Sequence, residues 1–385
     1  MMQKIGDQIQ SATSLFSLPT TNTQPRVLDL CMAPGGYTAT CLKYTPTASV
    51  VAGCLPVSSG GHAVFVPSAP VDPRVQIHHA DLTMLISEFS PGTPIPADHP
   101  DASNFLPANH PLLATANRDF DLIICDGQVL RTHLRSGYRE RREGTRLISA
   151  QLILALQRIR HDRGGKMLIL LHKLECLRSA RLVWQFSQFA RVRLFKPNPY
   201  HATRSSFYMV ASDIDPLAPA ALEAVQGWKD KWFETTLVGY HDDADGDDDD
   251  AALAASLKTA RLAEVVETET ETSTSNEAEA EAEGAAIISS FGAQLISLGD
   301  PIWTVQRDAL KKAPFMASKR AEKDNTSWRV PRRQQWTGST GPTGSTGSDV
   351  KKNVGFGFDF GQGSAGKRKG VGSEARKTVG FGFKF

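Results

Sequence analysis

Short apolar runs alternate with segments of helical periodicity over the first 213 residues, a pattern that predicts βα units around a mainly parallel sheet. Strands are expected over residues 27–31, 49–55, 75–78, 121–125, 166–171, 192–194 and 207–212, and helices over 4–16, 38–44, 146–159 and 180–189. The run Leu147-Ile-Ser-Ala-Gln-Leu-Ile-Leu-Ala-Leu156 is apolar along one side and should pack on the sheet, with Asp162-Arg-Gly-Gly165 ending its helix in a left-handed glycine cap. Six prolines between residues 91 and 111 mark an inserted loop between the third and fourth strands. The fold class is therefore α/β, a Rossmann-like seven-strand sheet with helices on both faces. Beyond it, 214–240 read as a closing helix, 241–284 as an acidic disordered linker, 285–336 as a helical segment and 337–385 as a disordered tail. Ile287, Ile288, Phe291, Leu295 and Leu298 recur at helical spacing. Asp300-Pro301 then looks like the N-cap and first position of a second helix. This helical pair, over about 285–313, is expected either to dock back on the domain or to meet a protein partner.

Composition narrows the class. There is no apolar run of 18 residues and no basic and apolar leader, so a soluble protein of the cytoplasm or nucleus, without membrane contact, is expected. The five cysteines lack CxxC spacing, and His78 and His79 point to opposite faces of a strand, so no metal is expected. The net charge of +2 hides an asymmetry. Residues 241–284 hold 15 acids against Lys258 and Arg261, leaving the remainder at +15, which suits a polyanionic partner such as RNA. The tail repeats Val-Gly-Phe-Gly-Phe at 354–358 and 379–383, two copies being too few for a solenoid.

The most informative words are Val27-Leu-Asp-Leu-Cys-Met-Ala-Pro-Gly-Gly-Tyr-Thr-Ala39. They give a strand, a glycine turn and a helix start, the place where open α/β sheets bind ligands. Gly35 and Gly36 let backbone approach a ligand, and the helix N-terminus behind them offers free N–H groups to an anionic end. The phosphate-loop spacings GxxxxGK[ST] and GxGxxG are absent.

Together with Asp121-Leu-Ile-Ile-Cys-Asp-Gly127, the word Asp29-Leu-Cys-Met-Ala-Pro-Gly-Gly36 resembles the FtsJ-like, or RrmJ-like, family of S-adenosylmethionine-dependent RNA ribose 2′-O-methyltransferases, over about residues 1–213. The resemblance implies S-adenosylmethionine as cofactor and RNA as substrate. Asp29, Ala33, Pro34, Gly35 and Gly36 would line its methionine end, Asp81 would face the adenine amino group, and Asp126 would border both cofactor and substrate. An acid that often holds the cofactor ribose is replaced by Cys54.

In that family a Lys-Asp-Lys-Glu tetrad serves the reaction. Asp126 matches the aspartate, Lys173, after the strand Lys166-Met-Leu-Ile-Leu-Leu-His172, the second lysine, and Lys4 the first. A ribose hydroxyl is a very weak acid, and a buried lysine with a lowered pKa can serve as its base. Lys173 would be that base or its electrostatic partner. Ser206 stands where the glutamate is expected, within Lys196-Pro-Asn-Pro-Tyr-His-Ala-Thr-Arg-Ser-Ser206, and cannot supply negative charge. Two readings follow: an enzyme working with Lys-Asp-Lys, or a degenerate fold serving as an RNA- or protein-binding scaffold. Arg131, Arg135, Arg139, Arg141 and Arg142 come directly after Asp126, and with Arg204 they are the expected phosphate contacts.

Overall fold

Strands β1 (Arg26–Leu30), β2 (Ser49–Cys54), β3 (Val75–His79), β4 (Leu122–Cys125), β5 (Lys166–His172), β6 (Arg191–Phe195) and β7 (Ser206–Ser212) form one sheet. Its order is β3-β2-β1-β4-β5-β7-β6. The first five strands are parallel, whereas β7 runs antiparallel to both β5 and β6. This is a computed structural model, and it describes residues 1–19, 24–113, 119–162, 164–238, 240 and 274–313. Most of the expected acidic linker, the end of the expected helical segment and the whole Gly/Phe tail lie outside the described residues.

Side chains on a strand alternate between faces, and here they feed two cores. Leu122, Ile124, Leu168, Tyr208 and Val210 join Ile5, Ile9 and Phe16, so that α1 (Met2–Thr13) and α2 (Gly36–Tyr44) cover one face. Ile123, Cys125, Met167, Ile169 and Met209 point the other way into α4 (Glu143–Arg158), α5 (Leu177–Ser187) and α6 (Pro219–Phe233). A four-residue α3 (Ile86–Phe89) opens the segment before the insertion. The six-proline insertion is tied down rather than free. The Asp101 carboxylate is 2% exposed and accepts hydrogen bonds from Ser136 Oγ (2.7 Å), Tyr138 Oη (2.9 Å) and Asn104 Nδ2 (2.8 Å).

Two expectations are corrected. The glycines at 164 and 165 do not cap α4; the helix ends at Arg158 with Ile159 extended, because Ile159 pairs at once with Phe120 as a parallel bridge. Nor does Asp300-Pro301 start a new helix. A single helix, α7 (Thr274–Lys312), runs through Pro301. A proline inside a helix costs about 3 kcal/mol, and burial of Ile287, Phe291 and Ile302 in the core with α5 opposes that cost on both sides of the proline. Residues 274–284, expected in the disordered linker, are thereby helical. Glu281–Lys312 is long and apolar enough to cross a membrane by length and composition; here part of its apolar surface packs on α5 and β6.

Trp232, fully buried near the end of α6, donates its indole N–H to Thr83 O (2.9 Å) and packs against Phe89 with ring centroids 5.0 Å apart. It therefore holds the turn after β3, which carries Asp81. Trp232→Ala leaves a large cavity and an unpaired carbonyl, and should destabilise the fold by about 3–5 kcal/mol, read as a lowered urea midpoint.

Candidate active site

The carboxyl ends of β1 and β4 lie side by side, Leu30 in register with Cys125, and each delivers an aspartate. Asp29 is buried within β1, where its carboxylate accepts the Thr38 hydroxyl at 2.6 Å. Burial pushes its pKa up from 3.8 to about 7, against that hydrogen bond. Asp126 follows β4. Burial, helped by the charge of Asp29, holds its carboxyl well above the usual range, opposed by the Tyr208 hydroxyl. Its Oδ1 is buried with no protein partner. The rings of Tyr37 and Tyr208 stand edge to face at 5.9 Å beside it.

Two adjoining clefts meet at these residues, sharing Cys31, Ala33 and Asp126. The smaller, about 120 Å³, is walled by Asp29, Pro34, Gly36, Tyr37 and Met2. The larger, about 170 Å³, extends over the ends of β2 and β3 to Cys54, Asp81 and Leu82, and is roofed by Leu130, His133 and Leu134. Gly35 caps α2 at φ +100°, a conformation that a side chain would strain. Gly127 must be small for another reason. A Cβ there would stand 2.6 Å from Cys31 Sγ and 2.7 Å from Gln151 Oε1, the oxygen that accepts the Gly127 N–H at 2.9 Å. An orphaned carboxylate oxygen at the junction of two clefts fits a ligand that brings a donor, so the residues present fit the expected cofactor.

Asp81 sits at the far end of the larger cleft and is already well bonded. Its Oδ1 accepts from Thr83 N (3.0 Å) and Thr83 Oγ1 (2.7 Å), and its Oδ2 from Arg139 Nη2 (2.7 Å). Burial works against its charge, but Arg139 and Thr83 hold its pKa below the ordinary value. Arg139 therefore corrects one expectation. It is 4% exposed, paired with Glu143 at 2.6 Å and with Asp81, and its guanidinium serves the cleft rather than an RNA phosphate. Arg135 is also engaged, by Glu140 at 2.6 Å. Arg131, Arg141 and Arg204 are exposed, and Arg142 is half-buried at the start of α4.

Both expected lysines are exposed. Lys173 directly follows β5 with φ +49°, its N–H bonded to Ser205 O at 3.1 Å, and its side chain is exposed. It is not the buried lysine that the chemistry led us to expect. Lys4, on α1, is exposed with its ammonium 6.0 Å from the Tyr200 ring centre. Among the described residues neither lysine forms an ion pair or hydrogen bond with Asp126. Ser206 is buried and in register with His172, so position 206 does lie beside Lys173.

Several residues were missed from sequence. Thr38 holds Asp29, Gln151 holds Gly127, and Gln128 Oε1 lies 2.8 Å from His172 Nε2. Lys196 donates to the carbonyls of Ser206 (2.7 Å) and Arg204, and burial lowers its pKa to about 8. Nothing in the Lys196-Pro word signals an ammonium turned onto backbone. Among the described residues no cluster of His, Cys, Asp and Glu could hold a metal ion.

A profile of the FtsJ-like methyltransferase family matches residues 7–213. Among solved structures, the chain resembles a Plasmodium falciparum protein provisionally named a ribosomal RNA methyltransferase, at 11% identity and a TM-score of 0.36, covering 56% of this chain and 97% of that one. A predicted O-methyltransferase of Agrobacterium tumefaciens matches at 14% identity and a TM-score of 0.29, over 51% of this chain and 78% of that one. Human N-acetylserotonin methyltransferase, solved with S-adenosylmethionine, matches at 11% identity and 0.29, over 55% and 53%. No curated protein sequence matches the chain.

The buried carboxylates make stability depend on pH. Asp29 binds its proton more tightly folded than unfolded, so folding weakens as pH rises from about 4 through about 7, by about 1.4 kcal/mol per pH unit per group. Asp126 acts in the same direction. Ligand-free protein should show a higher urea midpoint at pH 5 than at pH 8, and Asp29→Asn should remove part of that difference.

Proposed function

The chain belongs to the FtsJ-like methyltransferase family, and from that premise we propose that it methylates a ribose 2′-hydroxyl of RNA, with S-adenosylmethionine as donor. The observation that carries the reading is Asp126, half-buried, with a buried and unpartnered Oδ1 where the two clefts join. When bound, S-adenosylmethionine supplies an electrophilic methyl group on a sulfonium centre.

The residues around it would do the rest. Asp29, Ala33 and the Gly35-Gly36 turn would hold the methionine end, and Asp81, fixed by Arg139, would take the adenine edge. Asp126 would orient the donor and the attacking hydroxyl in line, a task of position rather than of covalent chemistry. Lys173 lies one strand over, after β5, and is assigned the hydroxyl's proton, or the charge that offsets its loss. An incoming RNA strand would cover this exposed ammonium. Lys4 would add charge from the opposite side. Arg131, Arg141 and Arg204 remain as phosphate contacts.

Ser206, and two exposed lysines that form no ion pair with Asp126 among the described residues, favour a second reading, a fold that binds RNA or protein without turnover. Calorimetry with S-adenosylmethionine separates the two first, since a scaffold has no need of the donor.

With labelled S-adenosylmethionine and total RNA, the wild type should form 2′-O-methylated nucleosides. Asp126→Ala and Lys173→Ala should each lower that rate by roughly 10²–10⁴-fold; unchanged rates in both would overturn the assignment. Ser206→Glu should raise the rate if the missing charge limits the enzyme. Arg139→Ala should weaken cofactor binding in calorimetry, because Asp81 then loses a partner and its orientation.

A further inference from the structure

Two further clefts lead away from Asp126 on the side of α4, α5 and α6, and the cofactor has no use for them. The first, about 410 Å³, starts at Gly127 and Gln128, residues that also wall the cofactor cleft, and passes His172 and Lys173 to reach Arg178. The second, about 380 Å³, shares Ile148, Arg178 and Leu182 with the first and continues to Arg181, Trp228 and Lys231. Shared walls make them one trough running from the reaction centre across the helical face.

The trough's lining is basic. Among the described residues no Asp or Glu lines either cleft, whereas Lys173, Arg178, Arg181 and Lys231 all do. In the second cleft Arg181 Nε and Gln185 Oε1 are buried without partners, a donor and an acceptor left over for a polar ligand. The acids stand at the rim: Glu283 of α7 pairs with Arg181, and Glu234 with Lys231 at 2.8 Å. These are exposed pairs, unlike those of Arg139, whose buried side chain is held by Glu143 and Asp81.

We propose that this trough is the track for the nucleotides flanking the target ribose, with Arg178, Arg181 and Lys231 taking their phosphates. The assignment rests on the RNA methyltransferase reading and adds to it a direction of approach. A strand lying here enters the reaction centre over Lys173 and Gln128, on the side of Asp126 away from Asp81. It also displaces Glu283, which occupies Arg181 in its absence. Four cations along the lining, with Glu283 and Glu234 at an exposed rim where phosphates can exchange for them, fit a polyanion.

The test uses the full chain and a fluorescent single-stranded oligoribonucleotide of mixed sequence, titrated by anisotropy at several salt concentrations. Each phosphate contact adds about 0.7 to the slope of log affinity against log salt on a single strand. Joint replacement Arg178→Gln, Arg181→Gln and Lys231→Gln should therefore flatten that slope by about 2 and weaken binding at least tenfold. Lys231→Arg alone should keep both, and Glu283→Gln should tighten binding several-fold. Unchanged cofactor affinity in calorimetry certifies that the variants are folded. If the wild type methylates RNA and the triple variant matches its slope and affinity, the track is overturned while the function stands. A wild type that binds the cofactor but neither binds nor methylates RNA overturns both, and leaves the cations to an acidic protein partner.

Discussion

The guanidinium of Arg139 is the joint on which the larger of the two clefts at Asp126 depends. Taking an arginine out of water is costly unless its N–H groups find acceptors. Here Glu143, Asp81 and Thr83 accept from it, and Asp101 lies within 3.6 Å. Those partners belong to the N-terminus of α4, the turn after β3 and the proline-rich insertion. One side chain thus sets where three connections meet, and the roof of the larger cleft hangs from the same segment. Arg146 extends the joint, donating to Glu143 at 3.1 Å and to Thr236 Oγ1 at 2.9 Å, so the π-helical turn after α6 is included as well.

At the strand ends the fold accepts unfavourable local states. Cys31 and Lys173 carry left-handed backbone, at φ +70° and +49°, which costs a residue with a Cβ about 1–2 kcal/mol. Asp29 and Asp126 are carboxylates placed where burial favours their neutral forms. None of this helps the sheet. Such concessions gather where a site needs a side chain aimed in one direction, and all four residues lie at the carboxyl ends of neighbouring strands.

The sheet was legible because its strands are short apolar runs between turn signals, and all seven strands begin within a residue of the expected start. The turn at Ala33-Pro-Gly-Gly36 and the aspartate after β4 were legible for the same reason: chemistry there follows from backbone position. Partner choice was not. Arg139 looked like its neighbours in a basic run, although Glu143 stands four residues on, the spacing of a helical ion pair. Asp300-Pro301 spelled a helix start, yet packing on either side carried the helix through. The antiparallel placement of β7 could not be read from residues 206–212, because alternation specifies a face and not a neighbour. Lys173 shows the remaining gap, since a lysine closing an apolar strand gives no sign of whether it turns inward or out.

The position of β7 also orders events during synthesis. Strand β6 leaves the ribosome before β7 but ends at the sheet's edge, with β7 between it and β5. Until residues 206–212 emerge, β5 has an open edge, the sort of unpaired backbone that invites wrong pairing. The Gly35-Gly36 turn after β1 is made early, whereas Lys173 acquires its backbone partner only when Ser205 arrives, and Asp126 meets Tyr208 later still. A nascent chain would therefore possess the glycine turn before it possesses a settled Lys173, and a chaperone guarding this protein would have most to do at the β5 edge.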